Sequence, residues 1–230
     1  MEHGFQWYQL IPGFKNLPPE VFGSLLVFFI LSSMAFLFHL KFKKRTAPLI
    51  PDAQLTLFSF FDVLVEKLLS LVASIMGHGG KKYFPLMATL FIFILFCNLL
   101  GLIPGFLPPT NNLNTNLACA LSVFIYYNIQ GLKTHGLGYL KHFLGPVMWL
   151  APIMVIIELI SHVVRPASLS IRLFGNISGD HMVLNIFSGL APVGVPVIFM
   201  FLGLFVSVIQ AFVFTLLSMV YLSLAVAEDH

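Results

Sequence analysis

The sequence predicts an all-α integral membrane protein. It should have five membrane-embedded helices plus one interfacial amphipathic helix, the last two forming a long tilted hairpin, in a single membrane domain over residues 1–230. Three observations lead there. Of the 230 residues, 58% are hydrophobic and only 9% are charged, against roughly 25% charged in soluble domains. The apolar runs are long and do not alternate, so helices are the expected spanning form. Finally, the stretch Ser170-Ile171-Arg172-Leu173-Phe174-Gly175-Asn176 sets an arginine inside an otherwise apolar segment. A charged side chain near the bilayer centre costs about 2.5–3.5 kcal/mol on insertion scales. Such a residue must face a partner, a cavity or water.

The elements follow in order. An aromatic stretch with Phe5, Trp7 and Tyr8 makes residues 1–20 an external N-terminus ahead of a span at 21–40. The block Lys41-Phe42-Lys43-Lys44-Arg45 follows that span. Because the charges come after the apolar run, no signal peptide is expected. A segment at 51–77 precedes a span at 84–104. The loop 105–116 holds two prolines and four asparagines but no charge, which is turn and capping chemistry. A further span covers 117–130, and Lys133 and Lys141 lie in the loop 131–145. Two very long segments, 148–190 and 193–227, turn at Ala191-Pro192. Cys97 and Cys119 lie in apolar segments without a CxxC pairing and read as free, buried thiols.

Residues 51–77 are long enough to cross, yet Asp62, Glu66 and Ser70 share one helical face, with Lys67 and Ser74 beside them. The distribution of lysines arbitrates. If this helix lies in the interface, Lys41–Arg45, Lys81, Lys82, Lys133 and Lys141 share one side, and Lys15 alone is opposite. If it spans, the charges scatter. The interfacial reading gives five spans, with the N-terminus outside and Glu228, Asp229 and His230 inside.

Residues 148–190 number 43, or about 64 Å of helix at 1.5 Å per residue. The hydrocarbon is about 30 Å thick. Neither long segment has a polar turn that would divide it, so each reads as one tilted or bent helix, with Pro166 as a place to bend. At 100° per residue, with Arg172 at zero, Arg165 falls at about 20°, Glu158 and Asn176 at about 40°, and His162 and Asp180 at about 80°. His181 points to the back. Glu158 lies about 21 Å to the inner side of Arg172, and Asp180 and His181 about 12–14 Å to the outer side. The last segment carries its own stripe of Gly203, Ser207, Gln210, Ser218 and Tyr221. Residues 172 and 210 are twenty and eighteen residues from Pro192, so they should meet across the hairpin.

Plainer readings stand beside these. Arg172 could form a structural ion pair with Glu158 or Asp180. Glu158 could snorkel to the inner headgroups, and Asp180-His181 could anchor a helix end at the interface. His3, His39, His78, His135, His142 and His230 are scattered without metal-ligand spacing. No phosphate loop, nucleophile elbow or dinucleotide-binding glycine pattern occurs. No metal, cofactor or catalytic residue is expected, and the net charge of +3 is too dispersed to suggest nucleic acid.

Pro166-Ala-Ser-Leu-Ser-Ile-Arg-Leu-Phe-Gly-Asn176, Gln210-Ala-Phe-Val-Phe and Tyr221-Leu-Ser-Leu-Ala resemble subunit a of the F-type rotary ATP synthase, the stator half of its membrane ion channel. Asn98-Leu-Leu-Gly-Leu-Ile-Pro104 and Asn114-Thr-Asn-Leu resemble that family's third and fourth helices. The resemblance covers nearly the whole chain. It implies that Arg172 is the essential arginine, Asn176 and Gln210 its neighbours, and Glu158 an acid of the inner half-channel. His181 falls where the family places a histidine or glutamate of the outer half-channel. Gly203 replaces the usual partner acid or histidine of the last helix, which leaves the outer path to His181, Asp180 and water, with Ser207 and Gly203 as a supporting stripe.

The resemblance implies two offset proton half-channels working against a rotating proteolipid ring with a mid-membrane carboxylate. It also implies a peripheral-stalk subunit, a soluble ATPase sector that holds the nucleotide chemistry, and surrounding lipid. A bacterial plasma membrane is the expected location. The alternative from another class is a secondary ion transporter or antiporter coupled through Arg172 and Glu158. Such folds often show inverted repeats, and none is found here.

Overall fold

The computed structural model describes residues 17–44, 57–103, 105–136, 138–139, 151–190 and 194–227. The expectations on residues 1–16, the loop at 45–56, residues 140–150, the Ala191-Pro192 turn and the last three residues lie outside these. The described regular structure is helical throughout, with six α-helices. They are α1 (Pro19–Lys44), α2 (Leu57–Met76), α3 (Phe84–Leu100), α4 (Leu113–His135), α5 (Ala151–Leu190) and α6 (Val195–Val226). Short 3-10 turns, His78–Tyr83 and Pro109–Asn111, precede α3 and α4.

Two compact units divide the chain at Pro109. In the first, α1 packs on α3 through Val27, Cys97 and Leu100, with Phe93, Phe96 and Phe106 around them. Helix α2 buries Leu68 and Val72. Asp62, Glu66, Lys67, Ser70 and Ser74 are all exposed, on the polar face read from the sequence.

In the second unit, α4, α5 and α6 pack on one another. Asn112 caps α4 by accepting a hydrogen bond from the Asn114 amide at 2.9 Å. The buried Asn116 donates to the Thr110 carbonyl at 2.8 Å. The loop asparagines therefore do the capping work expected of them. Helix α5 has 40 residues and runs on through Pro166. Helix α6 has 32 and starts after Gly194, whose φ of 91° is left-handed and suits glycine at the turn.

Among the described residues, four helices are long and apolar enough to cross a membrane: Pro19–Leu40, Gly79–Leu100, Pro152–Gly189 and Val195–Val226. Helix α2 is not among them, which agrees with its three charges. Helix α4 has 23 residues, enough for about 34 Å. Its composition is too polar for that class, because it carries Asn114, Asn116, Asn128, Gln130 and Lys133. At about 60 and 48 Å, α5 and α6 exceed the bilayer core and must lie obliquely to stay within it.

Candidate functional site

Three contacts set the register of the α5–α6 hairpin. The Phe187 and Phe199 rings stack at 4.7 Å. The amide of Asn176 donates to Gln210 Oε1 at 2.7 Å. The Arg165 guanidinium lies over the Tyr221 ring, 5.6 Å from its centroid. Each pair is centred on position 193 of the chain. Turn counting from Pro192 had instead put Arg172 opposite Gln210. The difference is one helical turn, because α5 continues to Leu190 and α6 begins only at Val195. Gln210 meets Asn176, and Arg172 sits one turn nearer the N-terminus of α5.

Arg172 and Asn176 are both exposed, as are Ile171, Gly175 and Gly179 around them. Among the described residues Arg172 takes part in no ion pair, so it is not held by Glu158 or Asp180. Glu158 instead faces Arg165, with 3.7 Å between oxygen and nitrogen and both side chains partly exposed. At that distance and exposure the pair is loose. The stripe of α6 points the other way, into the unit: Gly203, Ser207, Gln210 and Ser218 are buried. Ser218 donates to the Phe214 carbonyl at 2.8 Å.

On the C-terminal side of Arg172 along α5, a cleft of about 460 Å³ opens between α5 and α6. Gly175, Asn176, Gly179 and Asp180 line one wall, and Phe199, Leu202, Val206 and Gln210 line the other. A Cβ at Gly175 or Gly179 would meet nothing, so these positions leave room beside the polar groups. Gln210 is 3% exposed, and its Nε2 has no hydrogen-bond partner among the described residues. An unmet buried donor costs about 1–3 kcal/mol, so this one is set for a water or an anionic group. His181 is half-buried and does not line the cleft. Nearby, Ser178 donates to Asn111 Oδ1 at 2.7 Å.

On the N-terminal side of Arg172 along α5 lies a cluster the sequence did not assemble. His162 is buried and its Nε2 is 2.8 Å from Asn128 Oδ1. The Tyr139 hydroxyl donates to the same oxygen at 3.1 Å. Burial pushes the Tyr139 phenol above its ordinary range, so it stays a neutral donor. The stripe angles had included His162. Asn128 and Tyr139 carried only a faint signal, as polar groups on or just beyond an apolar run. Asn111 was read as capping alone. No group of three metal-ligating side chains occurs among the described residues.

The ATP synthase A chain family matches residues 21–223. ATP synthase subunit a of Bdellovibrio bacteriovorus is 44% identical over 227 residues, 98% of this chain and 99% of that one. Subunit a of Geobacter sulfurreducens is 54% identical over 172 residues, 75% of each chain, and that of Geotalea uraniireducens 53% over the same span and shares. With an all-helical fold, long apolar helices and a match over most of its length, this chain is a multi-pass membrane protein that belongs to the ATP synthase A chain family, the subunit a of the ATP synthase membrane sector.

Proposed function

We propose that this chain is the ion-conducting stator subunit of its ATP synthase, forming two offset proton half-channels against a rotating proteolipid ring. The observation that carries this reading is Arg172, exposed and without an ion pair among the described residues, on a 40-residue apolar helix. Titratable groups flank it at two depths. A cationic side chain left facing outward in lipid is costly, so the open face of α5 and α6 must be covered by something that pairs with it. A ring of small subunits, each with one mid-membrane carboxylate, fits that requirement.

The physics then follows. A ring carboxylate facing lipid must be neutral and so must carry its proton. Facing Arg172, its charged form is favoured and the proton leaves. Arg172 also interrupts any continuous proton path between the two sides. Protons enter through the cleft of Asp180, Asn176 and Gln210, with His181 nearby, ride the ring for most of a turn, and leave past Glu158. About 2.3 kcal/mol per charge per 100 mV drives the rotation. Helix α4 serves as the fifth embedded helix, its polar side turned to α5 and α6, while α2 lies on the inner surface. The N-terminus is outside and the C-terminus cytoplasmic, in a bacterial inner membrane. The peripheral stalk and the soluble ATPase sector complete the assembly.

The test uses the complete ATP synthase in sealed vesicles, with the pH of each side varied separately. Free histidine titrates near 6.5 and carboxylates near 4. Asp180→Asn and His181→Ala should alter the dependence of proton flux on outer pH, and Glu158→Gln the dependence on inner pH. If all three variants altered the same side, or none altered flux, the two half-channels would be misplaced.

A further inference from the structure

Two buried polar atoms of opposite kind are left over where α4, α5 and α6 meet. Asn116 is fully buried. Its Nδ2 donates to the Thr110 carbonyl at 2.8 Å, and that bond fixes the amide, because a carbonyl cannot accept from a carbonyl. Asn116 Oδ1 is therefore an acceptor, and it has no donor among the described residues. Gln210 is the converse. Its Oε1 takes the Asn176 amide hydrogen at 2.7 Å, and its Nε2 has no acceptor among the described residues.

The helix registers bring the two together. Ser178 meets Asn111 and His162 meets Asn128, so the contacts of α4 with α5 are centred near position 145 of the chain. Asn116 then lies level with Leu173, the residue after Arg172. The contacts of α5 with α6, centred on position 193, put Leu173 level with Val213. Gln210 is three residues from that level, about 4.5 Å along the axis. Asn116 and Gln210 both belong to the buried stripes through which these helices pack. Two neighbouring hydroxyl hydrogens are already spent: Ser170 donates to the Ala167 carbonyl at 3.0 Å, and Thr215 to the Ala211 carbonyl at 2.9 Å.

We propose that Asn116 is a positioning residue for Gln210, acting through one buried water that accepts from Gln210 Nε2 and donates to Asn116 Oδ1. A water both accepts and donates, so a single molecule completes both atoms. Buried waters characteristically bond to polar groups of this kind, with about three bonds each. The third bond goes to the Thr215 oxygen, which still accepts. With both hydrogens spent, the water can only accept from residue 210, and the Gln210 amide cannot turn over. Gln210 Oε1 is thereby held toward Asn176, and the second Nε2 hydrogen is kept for the cleft. Asn176 in turn offers its own oxygen as the acceptor on the cleft wall that carries Asp180.

The effect on rate rests on the cleft belonging to the proton path, and the experiment separates the two ideas. In a map of the complete native ATP synthase fine enough to show ordered water, a peak should lie about 2.7–3.2 Å from both Gln210 Nε2 and Asn116 Oδ1. A direct bond between the two side chains, or no peak that reaches both, overturns the proposal. ATP synthesis in vesicles then tests the role. Asn116→Leu fills the same space and removes the acceptor, and it should slow synthesis by about two- to tenfold. Asn116→Ser leaves room for a second water in place of the amide oxygen, and should stay within about twofold of the native rate. A residue that only filled the bundle would give the reverse order, because serine leaves a void and leucine does not; that order overturns the role. Asn116→Leu combined with Gln210→Leu should be no slower than Gln210→Leu alone, and multiplied losses would show that the two residues act separately. If Asn116→Leu does not assemble, the native map and Asn116→Ser decide. Native synthesis in Gln210→Leu would take the cleft out of the proton path and the positioning role with it, even with the water present in the map.

Discussion

The two reaches of α5 treat polar side chains in opposite ways. On the N-terminal reach, the inner one under the proposed orientation, Glu158, His162 and Arg165 each find a partner within this chain: Arg165 for Glu158, Asn128 for His162, and Tyr221 with Glu158 for Arg165. From the middle outward, Arg172 and Asn176 lie on an exposed face, and the buried Gln210 keeps an unmet donor against an open cleft. Exposure makes the contrast informative. A charged side chain left on an exposed apolar face is expensive in lipid, so the open middle around Arg172 differs in kind from the cluster around His162, where one buried hydroxyl, that of Tyr127, has no partner among the described residues. Under the proposed function, the first reach is architecture and the middle is half of a site.

The contrast is broken most directly at its two arginines. Arg172→Ala should lower ATP synthesis and ATP-driven proton pumping in reconstituted vesicles by about 100-fold or more, since the charge that the partner meets is gone. Arg165→Ala removes a loose, partly exposed pair worth about 0.2–1 kcal/mol, and should cost less than about fivefold. Comparable losses in the two variants would mean that the reaches do not differ in kind. Near-native synthesis in Arg172→Ala would end the reading of the middle as a half-site.

Much of this was legible in the sequence because charge in an apolar helix is rare and periodicity is simple. Arg172, Glu158, Asn176 and Asp180 fell on one stripe by angle alone, and the Gly203–Ser207–Gln210 stripe is the buried face of α6. The exposed polar face of α2 followed from Asp62, Glu66 and Ser70. What was not legible depends on packing between helices. Asn128 is one polar residue in an apolar run, and nothing local says that it meets His162 thirty-four residues on. Tyr139 depends on the seat left by Gly131. The hairpin register slipped a turn because counting from Pro192 assumes equal arms, whereas the helices end at Leu190 and begin at Val195.

That register gives a finer comparison of the middle with its own neighbour. Cysteines replacing Asn176 and Gln210 should cross-link readily under mild oxidation in the assembled complex. A disulfide needs Cα atoms about 4.4–6.8 Å apart. Cysteines replacing Arg172 and Gln210 are displaced by one further turn, about 5.4 Å along the axis, and should link several-fold less. The reverse order of yields would restore the pairing of Arg172 with Gln210 and move the cleft relative to the arginine.

The smallest expected effect lies at the edge of the inner reach, at Gly131→Ala. The new Cβ would lie 2.5 Å from the Tyr139 ring, so the ring must move and its bond to Asn128 is lost. Losing one such hydrogen bond costs about 0.5–1.5 kcal/mol. Replacing a mid-helix glycine with alanine returns about 0.5–1 kcal/mol. The two nearly cancel, and the melting temperature of the membrane sector should hardly change. Asn128 keeps its contact with His162, and ATP synthesis should fall by less than about twofold, within the value of one shared bond. Tyr139→Phe removes the same bond without the helix gain. If both act through that contact, the double variant Gly131→Ala with Tyr139→Phe should be no worse than Tyr139→Phe alone, because the second change finds nothing left to break. Additive losses would mean that Gly131 serves the packing of α4 in some other way, and that the inner reach is held by more than the Asn128 oxygen.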